Sequence, residues 1–535
     1  MNSILTQIIL APFIGAIIAL LIPRNYRFVI RSVAHIATAV SMVLAVKMFF
    51  FDYVIIGSGQ DVRTLTHIIP WVTSLGINYH VAVDGLNVGL ILMGTIVAFA
   101  AVCVSRNIKT YEKEFYILLL VMTGGILGAF ASFDLFFFYF FHELALVPTF
   151  IMIGVWGRGE NKNYATFQIT LYLSIGALLA LVGLIALYLQ LPIGSRTFNI
   201  IELTKYFKGQ PMNLAAQQLI FPLLLFGFGI LVSLWPFHTW APLGYGSAPA
   251  ATAMLHAGVL KKFGLYGLIR IALPLMPDAG QSWVHVLAFL CLGNIIHCGF
   301  VAMRQRDLNL LIGNSSVAHM GFCFLGIASL SLIGVTGAVT VMIAHGLLAA
   351  LTFALSGYLY QQTGTLDMDK MGGLLRQIPF IGAAFVMAAM AGCGLPGFAN
   401  FPGEALVLFG SWKVFPLVTA LAVWGALVIG AIYMLRAVRN ILHGPLSENF
   451  KDIKDVDEIV TLPLESMWRK FEGAWRKFPY ALLLASLLLF GFVPSLLTDK
   501  IKPSAQAVVE MATGQTKIKK AAKLPVPATL QAAVK

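Results

Sequence analysis

The side chains in this sequence that could do chemistry are ionisable groups inside long apolar segments. Glu143 follows a run of phenylalanines, and Glu404 follows an interruption rich in Gly and Pro. Lys261 and Lys262 are adjacent in a third apolar segment. An ionisable side chain at the centre of a membrane-spanning helix costs about 2.5 to 3.5 kcal/mol on insertion scales. Each of these residues is therefore a candidate functional group.

Histidines in similar surroundings extend this set. His319 and His345 lie in the middle of apolar segments, and His142, His238 and His256 lie near the other candidates. Desolvation and neighbouring charges can bring the pKa values of carboxylates, amines and imidazoles toward neutrality. Such groups, joined by water or hydroxyls at interrupted helices, would pass protons within a bilayer. Alternatively, a histidine is a packed residue with one hydrogen bond, and one of the two lysines extends to the membrane surface.

The composition indicates the environment of these groups. Of the 535 residues, 59% are hydrophobic and 11% are charged, whereas soluble proteins carry about 25% charged residues. This excludes a soluble enzyme, a secreted disulfide scaffold and a disordered protein. The net charge of +13 comes from bases that alternate with apolar segments. That pattern is typical of loops that orient a membrane protein, and not of nucleic-acid binding.

Motifs for cofactors are absent from the sequence. The five cysteines all lie in apolar segments without a C-x-x-C pair, so we interpret them as core residues and not as disulfides or metal ligands. There is no Walker phosphate loop, Rossmann fingerprint, H-E-x-x-H or haem motif. We therefore expect no metal, cofactor or catalytic residue in this chain, which excludes an ATP-driven pump and an autonomous redox enzyme.

The apolar segments predict an all-α polytopic membrane protein. A span needs about 20 apolar residues, and the segments predict about fourteen spans, of which the seventh and the twelfth are interrupted by Pro and Gly. The predicted spans are Ile4–Ile22, Phe28–Phe50, Leu86–Ser105, Phe115–Ser132, Leu135–Trp156, Tyr164–Leu189, Leu219–Leu234, His256–Leu275, Trp283–Met303, Leu308–Leu330, Thr336–Tyr358, Phe380–Gly410, Phe415–Met434 and Tyr480–Leu497.

The basic residues predict the orientation. Lys and Arg are concentrated in alternate connections, which should face the cytoplasm. This favours an even number of crossings with both termini on the outer side of the membrane. We expect a bacterial-type inner membrane, whose outer side is the periplasm. The first apolar run lacks a basic start and a clear cleavage site, so we expect a retained helix and not a removed signal peptide.

The long connection at 436–479 contains a duplication, since Trp468-Arg-Lys-Phe471 recurs as Trp475-Arg-Lys-Phe478. Its seven-residue spacing places both aromatic pairs on one helix face, as in a helix lying on the membrane surface or against a partner. The alternative is a solvated linker. After Leu497 we expect a short, basic and mobile tail.

Several motifs together resemble the antiporter-like subunits of respiratory complex I, and among them the subunit M or chain 4 type. The resemblance implies two inverted five-helix repeats at 115–276 and 277–435. They would follow three helices at 1–114 and precede the cytoplasmic connection at 436–479 and a last helix with a basic tail at 480–535. The motifs are Trp235-Pro-Phe-His-Thr-Trp-Ala-Pro242, Ala257-Gly-Val-Leu-Lys-Lys262, Ser315-Ser-Val-Ala-His-Met-Gly321, Met342-Ile-Ala-His-Gly346, Asp369-Lys-Met-Gly-Gly373 and Gly394-Leu-Pro-Gly-Phe-Ala-Asn-Phe-Pro-Gly-Glu404.

The resemblance also implies roles. Glu143 matches the family's fifth-helix glutamate, Lys262 the eighth-helix lysine, His319 and His345 the connecting histidines, and Glu404 the twelfth-helix carrier. The family couples NADH:quinone electron transfer to proton translocation, so the chain would be part of an enzyme without carrying its redox site. NADH, FMN, iron–sulfur clusters and quinone would bind partner subunits, and subunit L- and N-like chains would be neighbours in the bilayer.

One departure from the family pattern affects the first half. The family's seventh-helix lysine is replaced by Leu231, and the acidic and imidazole residues that follow are replaced by Leu243 and Tyr245. Lys261 or His256 could stand in, the complex could pump fewer protons, or the chain could serve a different electron input. Alternative assignments are a subunit of a cation/proton antiporter or membrane-bound hydrogenase, and a scaffold that conducts nothing. We regard His238, together with Lys261 and His256, as auxiliary.

Overall fold

The computed structural model describes residues 3–53, 65–446, 448–458 and 467–514. Most of them are helical. The helices are α1 (Ile4–Leu21), α2 (Arg27–Lys47), α3 (Val88–Val104), α4 (Glu112–Ala131), α5 (Leu135–Trp156), α6 (Lys162–Leu189), α7 (Ile200–Gly209), α8 (Leu214–Val232), α9 (Trp240–Ser247), α10 (Ala250–Leu255), α11 (Lys262–Gly267), α12 (Leu273–Leu275), α13 (Pro277–Leu292), α14 (Cys298–Arg304), α15 (Leu308–Ala328), α16 (Leu332–Thr363), α17 (Pro379–Gly392), α18 (Asn400–Trp412), α19 (Pro416–Trp424), α20 (Ala431–Leu442), α21 (Met467–Phe492) and α22 (Ser495–Ala512).

Turns of π-helix extend or join several of these helices. They lie at Met48–Asp52, His256–Leu260, Leu268–Ala272, Gly293–His297 and Gly425–Gly430. The second and third of these turns link α10, α11 and α12 into one nearly continuous helix at 250–275. Such wide turns rotate the residues that follow them and are frequent at functional sites.

The predicted all-α polytopic class is confirmed. Among the described residues, eleven helices are long and apolar enough to cross a membrane, and a twelfth if α21 and α22 count as one bent span. The segmented helix at 250–275 and the short α17 fall outside this count. The number of fourteen crossings, the inverted repeats and the domain boundaries stay predictions.

Both predicted interruptions are present. The helix of the seventh span ends at Val232 and resumes at Trp240, and that of the twelfth ends at Gly392 and resumes at Asn400. Proline lacks the N–H group that a helix interior needs, and both breaks contain proline. Gly394 and Gly397 have positive φ angles in the second break, a conformation that other residues rarely adopt.

The connections between helices gather in two groups. The connections before α3, α5 and α7 are joined by the bridges Val81–Ser132 and Asp134–Asn199. The connections before α15 and α17 are joined by the bridge Asp307–Asp367, and Ser247 accepts a hydrogen bond from the backbone of Arg158 nearby. This grouping is expected if successive helices cross the membrane in alternating directions. Which group faces the cytoplasm stays a prediction.

The connection between α2 and α3 contains an antiparallel hairpin that the sequence analysis did not anticipate. Its strands are β1 (Leu65–Val72) and β2 (Ile77–Val83). The turn between them ends at Gly76, whose φ angle is +71°.

The long connection differs from the expectation. It is shorter than 436–479, since α20 ends at Leu442 and α21 begins at Met467. Trp475 and Phe478 stack with each other inside α21, and both rings lie near Phe99 of α3. This aromatic pair therefore packs against α3 of the same chain. The side chains of Trp468–Phe471 lie outside the described residues.

The prediction of a mobile tail directly after Leu497 is wrong. The chain bends by 68° and continues as the helix α22 up to Ala512. Its buried residues include Leu497, Ile501, Ala505 and Val508, which recur every three or four positions on one face. α22 packs against α12, α13 and α16. Residues 515–535, the rest of the predicted tail, lie outside the described part.

Candidate functional site

Lys262 lies next to His345 at the centre of the molecule. Lys262 is fully buried, and its Nζ atom donates a hydrogen bond of 2.5 Å to the carbonyl of Ala257. The same atom lies 3.0 Å from Nδ1 of His345 in α16. A Cβ atom on Gly258 would lie 2.9 Å from the carbonyl oxygen of Gly346. These two glycines thus let the helices approach closely enough for the amine and the imidazole to meet.

His319 continues the row from His345 to Glu404. The two imidazole rings lie 5.3 Å apart between centroids. Nδ1 of His319 is 2.8 Å from the carbonyl of Ser315, and Nε2 is 3.7 Å from Oε1 of Glu404. Because a carbonyl only accepts, Nδ1 must carry hydrogen, which leaves Nε2 as the nitrogen that can gain or lose a proton.

Glu404 ends the row beside the second helix break. It lies in the first turns of α18 and is buried. A cavity of about 10 Å³ lies between His319, Glu404 and Tyr433, close to the room that one water molecule needs. A Cβ atom on Gly394 would lie 2.7 Å from Oε2 of Glu404. The break therefore gives the carboxylate space that a continuous helix would fill.

Lys262, His345, His319 and Glu404 form a continuous buried row from four helices, which we call the central row. All four side chains can exchange protons. Their spacings are within hydrogen-bond reach directly or through a water molecule. The arrangement can therefore relay protons. Within the described residues, no three His, Cys, Asp or Glu side chains are grouped so as to hold a metal ion.

Glu143 is not brought into the central row. Its side chain is 33% exposed, and its Oε1 atom lies 3.5 Å from Nδ1 of His142. Leu231, in place of the family's lysine, is buried in α8. Among the described residues no hydrogen bond or ion pair joins Glu143 to Lys262. The ring of His142 stacks on Phe263 instead, with 4.0 Å between centroids.

The auxiliary residues lie around α9. Nδ1 of His256 is 3.2 Å from the hydroxyl of Tyr245. Lys261 is buried, and its Nζ atom is 3.5 Å from Oγ of Ser316. His238 lies in the first helix break with its ring 5.7 Å from that of His297. These residues form a second polar cluster beside the central row.

Sequence reasoning missed two groups of polar residues. The hydroxyl of Tyr433 lies 3.0 Å from Oγ of Ser315, beside His319; a lone tyrosine in an apolar span gives no signal. Arg270, in the same helix as Lys262, forms an ion pair of 2.5 Å with Asp84. A charged residue inside a membrane span is costly and usually has a partner. Applying this rule to Arg270 would have predicted an ion pair here.

Comparisons with known proteins agree with this architecture. A family model described as "NADH:quinone oxidoreductase/Mrp antiporter, TM" matches residues 132–430, which is more than half of the chain. NADH-quinone oxidoreductase subunit M of Rickettsia bellii is 33% identical over 399 residues, which cover 74% of this chain and 79% of that protein. NAD(P)H-quinone oxidoreductase chain 4 of Gloeobacter violaceus is 33% identical over 514 residues, covering 95% and 93% respectively.

A solved structure gives the same result. A chain in respiratory complex I from Thermus thermophilus with bound NADH superposes with a TM-score of 0.82 and 27% sequence identity. The match covers 95% of this chain and 100% of that chain. With its helix breaks, its buried ionisable row and these relatives, the chain belongs to the family of transmembrane subunits found in NADH:quinone oxidoreductases and Mrp antiporters.

Proposed function

We propose that this chain is a membrane subunit of a proton-pumping NADH:quinone oxidoreductase and that it conducts protons along the central row. The observation that carries the proposal is the buried row of closely spaced groups from Lys262 through His345 and His319 to Glu404. The names of the relatives support the assignment to this enzyme complex.

The relay uses the acid–base chemistry of the four side chains. The amine of Lys262 gives a proton to Nδ1 of His345 over 3.0 Å. The 5.3 Å between the imidazole rings requires a water molecule or a ring rotation before His319 receives it. Nε2 of His319 then delivers the proton to Glu404. Release at the outer side would complete the transfer. Glu143, with the auxiliary residues His238, His256 and Lys261, belongs to the uptake side of this proposal.

Electron transfer belongs to other subunits in this proposal. NADH, FMN, iron–sulfur clusters and quinone would bind there, and redox steps would drive the relay through the contacts between subunits. The neighbours in the bilayer would be subunit L- and N-like chains. The assembly would lie in a bacterial-type inner membrane, with both termini of this chain on the periplasmic side.

Proton translocation by the purified assembly in lipid vesicles tests the proposal. NADH and a quinone are added to the outside, and a pH-sensitive dye inside the vesicles reports proton uptake. The Glu404→Gln and Lys262→Met variants should lose translocation through this chain, because neither new side chain titrates. Glu448→Gln, a change of the same type in the connection after α20, is the matched control and should pump like the unmodified assembly.

Other results would overturn the proposal. Unchanged translocation in a Lys262→Ala/Glu404→Ala double variant would indicate a scaffold that conducts nothing. Uptake of Na⁺ in exchange for protons, without NADH oxidation, would indicate a cation/proton antiporter subunit. Identifying the companion chains of the native assembly by mass spectrometry would separate an oxidoreductase from a hydrogenase.

A further inference from the structure

A cavity of about 190 Å³ opens where several connections meet the end of α9. Its walls include Arg158 and Asn161 after α5, Asp307 before α15, Tyr360 near the end of α16 and Ser247 at the end of α9. The volume is enough for several water molecules. These connections belong to the group that is rich in Lys and Arg and is predicted to face the cytoplasm. We call this cavity the vestibule.

The vestibule walls carry groups that bind water and protons. Burial raises the pKa of the Asp307 carboxyl, which also accepts a hydrogen bond of 2.9 Å from the backbone of Leu310. The guanidinium of Arg158 lies 4.6 Å from the ring centre of Tyr360. Its buried Nη2 atom has no hydrogen-bond partner among the described residues, and a water molecule in the vestibule would satisfy it.

Polar atoms continue inward from the vestibule. Tyr245 lies two residues before Ser247 in α9, and Asn309 lies two residues after Asp307. Asn309 donates a hydrogen bond of 3.4 Å to the carbonyl of Tyr245, while its own buried Oδ1 atom has no partner in the described part. The hydroxyl of Tyr245 then reaches His256 at 3.2 Å. Water molecules beyond the vestibule wall could therefore form hydrogen bonds with these polar groups.

Lys261 lies where this line of polar atoms ends. Its Nζ atom is 5.6 Å from the ring centre of Tyr245 and 3.5 Å from Oγ of Ser316. No carboxylate oxygen of the described residues lies within 4 Å of it. A buried amine without a counter-ion is costly, so its presence indicates more than packing. The titratable groups around it are His238, His256, Lys262, Cys298, His319, Cys323 and His345.

Ser316, which contacts Lys261, lies next in the chain to a residue that contacts the central row. The preceding residue, Ser315, lies 3.5 Å from Nδ1 of His319 through its hydroxyl, and its carbonyl lies 2.8 Å from the same atom. Both serines lie on α15, about 12 to 14 Å along the helix axis from Asp307 by the rise of 1.5 Å per residue. α15 thus carries the vestibule wall at its start and the hydroxyls beside His319 further along.

We propose that Lys261 takes up protons from the vestibule and passes them through Ser316 to the central row, at a position that does not require contact with Glu143. The proposal rests on the proposed function of the central row. A water molecule gives a proton to the neutral amine of Lys261, and the hydroxide left behind is neutralised from the vestibule. The ammonium then releases the proton to the hydroxyl of Ser316, which gives up its own proton to water leading to the central row. Leu231 stands where the family has a lysine, and Lys261 supplies a buried amine elsewhere in the first half of the chain.

The test compares Lys261→Arg with Lys261→Leu in the complete assembly, reconstituted in vesicles with an internal pH dye. Arginine keeps the positive charge and the contact with Tyr245, but it does not release its proton at physiological pH. If Lys261 carries protons, both variants should lower translocation per NADH oxidised from that of the unmodified assembly toward that of Glu404→Gln vesicles. Lys205→Arg, an exposed lysine in α7, is the matched control and should pump like the unmodified assembly.

The outcomes separate this inference from the proposed function. If the unmodified assembly pumps and Glu404→Gln fails while Lys261→Arg pumps normally, Lys261 is only a structural cation and the inference is wrong. If Glu404→Gln also pumps normally, the proposed function itself fails. If the Lys261→Arg variant does not assemble, translocation by the Ser316→Ala variant is measured instead. This variant keeps Lys261 and removes only one hydroxyl. A drop in its translocation supports the route, and unchanged translocation overturns it.

Discussion

Nε2 of His319 lies 3.7 Å from Oε1 of Glu404, across a cavity with room for about one water molecule. The two residues come from α15 and α18, which pack against each other beside the break between α17 and α18. The proposed uptake routes, from Lys262 and from Lys261, both converge on this histidine. In these proposals, His319 is therefore the side chain that protons pass on the way to Glu404.

Replacing His319 by Gln should abolish translocation even though glutamine can still hydrogen-bond the Ser315 carbonyl. The amide cannot take up a proton at physiological pH, so both routes stop at this position. The measurement is dye-reported proton uptake per NADH oxidised. His285→Gln, an exposed histidine in α13, is the control and should have no effect. Normal pumping by His319→Gln would remove His319 from the path.

Replacing Glu143 by Gln should reduce translocation less than Glu404→Gln does. Glu143 has a buried leucine where the family has a lysine, and no described hydrogen bond links it to the central row. Both variants change a carboxylate to an amide, so they form a matched pair in the same vesicle assay. An equal loss in the two variants would mean that the first half still conducts through Glu143.

Replacing Gly394 by Ala should lower both stability and translocation. A residue with a Cβ atom at φ +67° costs about 1 to 2 kcal/mol, and this Cβ would also lie 2.7 Å from Glu404. Gly364 has nearly the same φ angle, +70°, with nothing within 4 Å of its Cβ position. Gly364→Ala should therefore lower the melting temperature similarly while pumping stays normal. Equal pumping by both variants would contradict the steric argument.

Replacing Arg270 by Met should destabilise the chain by about 3 to 5 kcal/mol, because it leaves the buried carboxylate of Asp84 unpaired. The exposed pair Lys502–Asp499 provides the control. Lys502→Met should cost less than about 1 kcal/mol, since water already screens that pair. Thermal denaturation of the purified assembly measures both. Similar shifts in melting temperature would show that the Asp84–Arg270 pair is not a structural ion pair.

The sequence predicted the features that depend on local chemistry. Pro236 and the glycines at 394 and 397 predicted helix breaks, which the structure contains. Charges in apolar segments pointed to Lys262 and Glu404. The order of the four residues in the central row came from the family resemblance, since the distance between residues of α11 and α18 cannot be read from their spacing along the chain.

Features that depend on contacts between distant segments were missed. Trp475 was interpreted as part of a surface helix, but its ring packs against His35 and Phe99, which are far away in the sequence. The hairpin before α3 depends on the pairing of two strands, of which β1 is mostly exposed and β2 mostly buried. The regular apolar positions of α22 were visible in the sequence, yet its basic and proline-containing stretch was taken for a tail.

The docking of α22 has a consequence for biosynthesis. A Cβ atom on Gly85 would lie 1.9 Å from the carbonyl oxygen of Lys500, and the backbone N–H of Gly85 donates to Ser504 at 3.1 Å. The ribosome makes Gly85 more than four hundred residues before these partners. A messenger RNA truncated after the codon for Leu497 would therefore yield a chain that has every candidate proton carrier but lacks the residues that pack against Gly85. The packing around Gly85 is completed only after α22 has been synthesised.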